Sequence, residues 1–339
     1  MYSPKLAELP HPPGKSGWPW TEETPQLPKA MPDGSSWPRI SIVTPSYNQG
    51  QFLEETIRSV LLQGYPNLEY IIIDGGSTDD SVEIIKKYAR QLAYWVSEPD
   101  RGQSHAINKG IDKATGDWIA WLNADDIYLP DTFSKIATTI SQSAKPISWI
   151  VGTTIFTDLE LREMDRFEPS LYTAPGRDMN YEPMGWIDFV CTKRSGIALP
   201  QPSSFWLRSA VIQAGGIDES LRYALDHELY GRLAHQGFHP VLLQEPLACF
   251  RTHDEQKTAN FPIAFWKEEL KIVYKWVNRV NGVEKKKLEN YGIWLDKQIK
   301  YYPYRVFYQS KKSRFRNVLK SMFGSIYKRI KKRFDNKTS

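Results

Sequence analysis

The chain has 339 residues, 41% hydrophobic and 24% charged. These are the proportions of a soluble globular protein, and the length suits one large α/β domain with appendages or two small domains. Two cysteines, Cys191 and Cys249, give neither a disulfide framework nor a metal-ligand spacing, no stretch approaches the roughly 18 apolar residues of a membrane span, and the polar, proline-rich N-terminus is unlike a signal peptide, so a cytoplasmic protein is expected.

The net charge of +5 is unevenly spread: residues 311–339 hold eleven Lys and Arg against one acid, Asp335, which leaves +10 on this tail and −5 on residues 1–310. A basic tail on an acidic body argues against a nucleic-acid binder.

Residues 1–38 are rich in Pro, Gly and Ser and carry Trp18, Trp20 and Trp37. They read as an extended arm whose tryptophans pack it onto the body. From Arg39 the pattern becomes regular. Ile40–Pro45 reads as a strand, Ser46–Gly50 as a loop, and Phe52–Gln63 as a helix through Phe52, Ile57, Val60 and Leu61. A second strand, Leu68–Ile73, runs into Asp74-Gly75-Gly76-Ser77-Thr78-Asp79-Asp80, and a helix follows to about Arg90. Leu92–Ser97 is a third strand, Ser104–Ala114 a helix and Trp118–Leu122 a fourth strand. Strands separated by helices of this length imply right-handed crossovers and a parallel sheet. In such sheets ligands bind outside the carboxyl ends of the strands. That places four polar loops on one rim: 45–48, 74–77, 98–100 and 123–126.

Each loop carries plausible chemistry beside a plainer reading. Asp74 can accept hydrogen bonds from a base edge or ribose, or can only order its turn while Ser77 or Asp79 caps the next helix. Arg101, Gln103 and Ser104 sit at a helix start, where free N–H groups favour anions, and Lys109 lies one turn on from His105, on a face that is otherwise simply solvated. Asn123, Asp125 and Asp126 crowd oxygen donors at a strand end, as a hard cation such as Mg²⁺ or Mn²⁺ requires. The plainer reading is a solvated turn with Asp126 capping the next helix.

Together, Ser41–Asn48, Ile73–Asp79, Asn108-Lys109-Gly110 with Ala114-Thr115-Gly116, and Leu122–Asp126 resemble family 2 glycosyltransferases of the GT-A fold over roughly residues 39–255. The resemblance implies an α/β fold with a Rossmann-like, mostly parallel sheet flanked by helices, between the extended arm and a helical basic tail. It splits the domain into a nucleotide-binding half, 39–126, and an acceptor-binding half, 127–255, followed by a helical extension over 256–310. It implies that Thr44, Pro45, Tyr47, Asp74, Asp100, Arg101, Lys109, Asn123 and Ala124 bind a nucleotide sugar, with a UDP-sugar favoured. Residues 123–125 take the place of the family's Asp-X-Asp motif. Asn123 stands at its first position, which shifts the metal-ligand role to Asp125, with His253 after the last strand, Leu247–Phe250, as its companion.

The family's carboxylate base falls on Asp226, where Leu225 replaces the usual preceding Glu. Glu228, two residues on, is the competing carboxylate, and a helix cap is the structural alternative for Asp226. Residues 199–206 shape the acceptor site in the family, and Trp186 and Trp206 are candidates for stacking on sugar rings or for plain core. The expected acceptor is a glycan or a lipid-linked glycan.

In the tail, Phe315, Leu319, Met322, Phe323, Ile326, Ile330 and Phe334 recur at helical spacing among basic residues, the pattern of a helix lying on an anionic membrane surface or packing on the body. This would make the protein peripheral on the inner face. Two rivals remain: a sugar-phosphate nucleotidyltransferase, whose glycine-rich basic loop is absent after the first strand, and a non-catalytic sugar-binding relative, with Asn123 and Leu225 as its marks.

Overall fold

The computed structural model describes residues 3–10, 12, 14–171, 186–191, 199–254, 256–257 and 262–310. The chain divides into two compact units, Met1–Asn260 and Phe261–Ser339. In the first, β1 (Ile40–Ser46), α1 (Gly50–Leu61), β2 (Leu68–Asp74), α2 (Ser81–Tyr88), β3 (Tyr94–Ser97), α3 (Gln103–Lys113) and β4 (Trp118–Trp121) alternate. Strands β1 to β4 pair in parallel in the order β3-β2-β1-β4. Both faces of β1 and β2 are buried, which is why they read as unbroken apolar runs rather than alternating ones. The helix α2 is shorter than expected, because the chain turns through Ala89–Gln91 and β3 starts only at Tyr94.

The rest of this unit contributes β5 (Ile127–Tyr128), α4 (Thr132–Gln142), β6 (Trp149–Thr157), β7 (Glu163–Phe167), α5 (Trp186–Val190), β8 (Ser204–Leu207), α6 (Arg208–Gln213), α7 (Leu225–His235) and β9 (Val241–Arg251). The sheet continues from β4 through β8, β6 and β9 to β5, with β7 beside β6. Here the pairing is mixed. The strand β8 lies antiparallel between β4 and β6, and β9 runs parallel to β6 but antiparallel to β5. An α/β sheet with a parallel half and a mixed half results.

The arm is fastened rather than free. Arg58 of α1 is fully buried, and its guanidinium donates to the carbonyls of Pro19 (3.0 Å), Trp20 (3.0 Å) and Pro10 (2.7 Å). A buried guanidinium needs such acceptors, since leaving its donors dry and unpaired is costly. Trp18 Nε1 donates to the Tyr128 carbonyl at 2.9 Å, and Trp37 Nε1 to that of Pro28 at 2.8 Å.

The second unit contains α8 (Pro262–Val277) and α9 (Gly282–Ser310), where Tyr291 Oη donates to Glu269 Oε2 at 3.0 Å. No helix among the described residues is long and apolar enough to cross a membrane. The expected amphipathic helix of the tail, 311–339, lies outside the described residues.

Candidate active site

The carboxyl ends of β1 to β4 open onto a cleft of about 980 Å³. Its first wall is made of loops that hold one another. Gly75 N–H donates to the Ser46 carbonyl (2.8 Å), Asn48 N–H to Ser77 Oγ (2.8 Å), and Thr78 N–H to Asn48 Oδ1 (2.8 Å). Asp74 is fully buried beneath these loops. It accepts from Gly76 N–H, Ser77 N–H, Ser77 Oγ and, across β3, Ser97 Oγ. A Cβ on Gly75 would lie 2.8 Å from Asp100 Oδ2 and 3.3 Å from the Tyr47 ring, so a side chain there would displace Asp100 or Tyr47 where the three loops meet. Tyr47 is left 61% exposed at the mouth.

Of the residues expected from sequence, Pro45, Tyr47, Asp100, Arg101, Asn123, Ala124, Asp125 and Asp226 line this cleft. Four others do not. Thr44 is buried with its hydroxyl 3.0 Å from Tyr70 Oη, Asp74 is sealed under its own turn, and Lys109 is turned aside into an ion pair with Glu98. Lys109 in turn holds the exposed Glu98 carboxyl below its usual range. His253 stands behind Asp125 rather than on the lining, its Nε2 3.1 Å from Asp125 Oδ2.

The acidic turn after β4 is asymmetric. Asp126 is buried and caps no helix, since α4 starts at Thr132 behind Asp131, which removes the plainer alternative of a solvated turn with Asp126 as a cap. Its carboxylate accepts from Arg251 N–H (3.1 Å) and Asn123 Nδ2 (3.2 Å). Burial, then the charge of Asp125, push its carboxyl well above the usual carboxylate range. Asn123 Oδ1 accepts from Gln103 Nε2 at 2.7 Å, so both ends of the amide are occupied. An aspartate there would set another carboxylate against Asp126 and lose a donor, which gives the Asn a local structural reason.

These groups suit a divalent cation. A carboxylate and an imidazole face each other, the buried His253 Nδ1 has no hydrogen-bond partner among the described residues, and the Asp125 charge disfavours ionisation of Asp126. No cluster of three or more His, Cys, Asp or Glu that could hold a metal occurs among the described residues. A hard cation held here would therefore draw its remaining ligands from water and from a phosphorylated ligand, a common arrangement for Mg²⁺.

The helix α7 contributes another part of the cleft lining. Leu225 and Asp226 both line the cleft, and Ala224, not Asp226, occupies the helix cap. The Asp226 carboxylate makes no hydrogen bond or ion pair among the described residues, and its charge adds to burial in pushing the Tyr230 hydroxyl up. Glu228 differs. It is fully buried and accepts from Arg232 at 2.7 and 2.6 Å, while Arg232 also holds the Gly216 carbonyl at 2.6 Å. Its charge is committed to the loop before α7. Trp206 is buried core, stacked on Trp121 at 4.7 Å, and Trp186 packs edge-on against His235 at 4.5 Å; neither lines the cleft.

Sequence reasoning missed Lys257, whose Nζ donates to Gln103 Oε1 at 2.7 Å, and an aromatic group of Phe156, Phe167 and Phe250 on the cleft wall. The Phe156 ring lies 5.1 Å from Phe250 and 6.0 Å from Phe167. Period-two alternation through Thr154 and Phe156 was the one available signal.

Residues 41–194 match the family model described as glycosyl transferase family 2. An uncharacterized glycosyltransferase of Mycobacterium tuberculosis is 32% identical over 202 residues, covering 59% of this chain and 70% of the relative. Among solved structures, Staphylococcus aureus TarS 1–349 superposes with a TM-score of 0.54 at 16% identity, over 75% of this chain and 70% of that one. The mannosyltransferase PcManGT from Pyrobaculum calidifontis gives 0.53 at 19% identity, over 78% and 71%. The two superpositions show a shared fold.

Proposed function

The chain belongs to glycosyltransferase family 2, and on that premise we propose that it moves a sugar from a nucleoside-diphosphate donor, by preference a UDP-sugar, to a hydroxyl of a glycan or lipid-linked acceptor with inversion. The carrying observation is that Asp125, Asp226 and the Asp100–Arg101 loop line one cleft, while the rival carboxylate Glu228 is buried in its ion pair. TarS has been solved with UDP-GlcNAc, and PcManGT with GDP-Man and Mn²⁺, which supports a nucleotide-sugar donor here.

Tyr47 offers its exposed ring to the base, and Asp100 and Arg101 face the ribose and diphosphate. Asp74 acts through the Ser77 and Ser97 hydroxyls it holds. Asp125 and His253 would hold Mg²⁺ or Mn²⁺, whose charge offsets that of the departing diphosphate. Asp226 takes the proton of the acceptor hydroxyl as its oxygen bonds to the anomeric carbon and the bond from that carbon to the phosphate oxygen breaks. A positioned base of this kind speeds the step about 10²–10⁴-fold. Asn123 carries no sign of lost activity, since its amide serves Asp126 and Gln103.

The test is release of nucleoside diphosphate from a panel of UDP- and GDP-sugars with Mn²⁺ or Mg²⁺. Release with one donor, lost in Asp125→Ala, is expected; no release with any donor would overturn the catalytic reading. We further propose that residues 311–339, with their +10 charge, hold the protein on anionic membrane. A chain lacking them should leave anionic liposomes but keep soluble-acceptor activity.

A further inference from the structure

One face of α1 converges on the acidic turn. Phe52, Glu55 and Thr56 follow the i, i+3, i+4 spacing that aligns side chains on a helix. The Thr56 hydroxyl lies 2.9 Å from the Ala124 carbonyl and 2.7 Å from that of Asp126, the carbonyls of the two residues that flank Asp125. Glu55 Oε2 accepts from Arg251 Nη2 at 2.6 Å in a pair whose side chains are 13% and 3% exposed. The Arg251 N–H donates to Asp126 Oδ1. The Phe52 ring packs 4.7 Å from the His253 ring and 4.8 Å from the Arg251 guanidinium. The second oxygen of Glu55 accepts from Trp20 Nε1 at 2.7 Å. Trp20 belongs to the arm and is buried, and it precedes the residues matched by the family model.

We propose that Phe52, Glu55 and Thr56 are positioning residues for the Asp125–His253 pair, and that the N-terminal arm completes this shell through the indole N–H of Trp20. The inference rests on the reading that Asp125 and His253 hold a divalent cation. The physical reason is geometric. Asp125 sits on a turn whose flanking carbonyls and neighbouring carboxylate are each tied to α1 or to Arg251. His253 sits two residues beyond Arg251. Losing the Glu55 pair would loosen Arg251, whose backbone N–H holds the neighbour of Asp125 and which lies two residues before His253. Groups that orient metal ligands in this way typically govern affinity by about 10–100-fold.

The experiment is Mn²⁺ binding to the full chain, alone and with UDP, followed by loss of the EPR signal of unbound Mn²⁺ against a UDP-only control, well below the unfolding temperature. Glu55→Gln and Thr56→Val should each weaken binding about tenfold, and Trp20→Phe about threefold. Because Trp20 acts through Glu55, the Trp20→Phe/Glu55→Gln double variant should bind no more weakly than Glu55→Gln alone. A purely structural role would lower thermal stability and leave Mn²⁺ affinity of the folded protein unchanged. If Asp125→Ala abolishes Mn²⁺ binding while all three variants stay within about twofold of wild type, the positioning role is overturned and the metal reading stands. If the wild-type chain binds no Mn²⁺ either alone or with UDP, the metal reading falls and takes this inference with it.

Discussion

The two walls of the cleft are held by different kinds of contact. On the wall after β1, β2 and β3, the loops bond to each other within successive strand–helix units, as Asn48 does with Ser77 and Asp74 with Ser97. On the wall that carries α7, the ties reach across the chain. Ser104 Oγ donates to the Leu221 carbonyl at 2.7 Å, and Asn108 bonds both the N–H and the carbonyl of Ile217 at 2.8 Å. The first wall is a repeated local solution that presents backbone and short polar side chains to the cleft. The second is an assembly whose geometry depends on distant elements meeting. Damage to the first should therefore change ligand affinity. Damage to the second should change either transfer or stability, depending on which carboxylate is touched.

The largest effect should separate Asp226 from Glu228. Asp226→Asn should keep donor binding by calorimetry and lose transfer by about 10²–10⁴-fold; retained transfer would move the base elsewhere. Glu228→Gln should instead cost stability, up to about 3–5 kcal/mol in denaturant unfolding, because it leaves the Arg232 charge uncompensated beside a buried partner. Turnover per folded molecule should fall far less than in Asp226→Asn. Next comes Gly110→Ala, whose methyl would lie 2.3 Å from Val43 Cγ1 where α3 crosses β1. A loss of about 1–3 kcal/mol is expected from such overpacking, visible as a lower urea midpoint at unchanged slope.

Tyr47→Ala should weaken nucleotide binding about tenfold through lost stacking, the scale seen for bases on aromatic rings, and leave stability within about 0.5 kcal/mol because the ring is exposed. The smallest effect is a pH dependence at the other end of the sheet. Burial acts to raise the Glu69 carboxyl, but hydrogen bonds from Ser41 and Thr115 and the Arg39 charge outweigh it and hold it below its usual range. Its contribution is thus present above the ordinary carboxylate pKa and lost as pH falls toward the folded value. Glu69→Gln should flatten the acid limb of the stability curve without altering nucleotide affinity.

Much of the first wall was readable from the chain, because its signals are local. Apolar runs of five or six residues, each ending in glycine, proline or an acid, mark parallel strands and place their loops on one rim. The ordering of Asp74 by its own turn, with Ser77 and Gly76, was also within reach, since the partners lie two and three residues away. What the sequence left open were choices between neighbours: Asp125 or Asp126, Asp226 or Glu228. Those depend on partners more than a hundred residues away or on which face of a helix meets the protein interior. Arg251 arriving from β9 takes Asp126 out of the cleft, and Arg232, close in sequence to Glu228, matters because the helix turns that pair inward.

The amino-acid sequence alone determined the parallel half-sheet, the polar rim and the family of the chain, because period, turn chemistry and short motifs act over a few residues. Only the tertiary structure decided which carboxylates face the cleft, why Asn123 stands where the family has an acid, and how Trp20 of the arm comes to touch the helix behind the acidic turn. Those outcomes come from burial, since a carboxylate packed away from water is either paired, as Glu228 is, or disfavoured as an ion, as Asp126 is, and burial is a property of the whole fold.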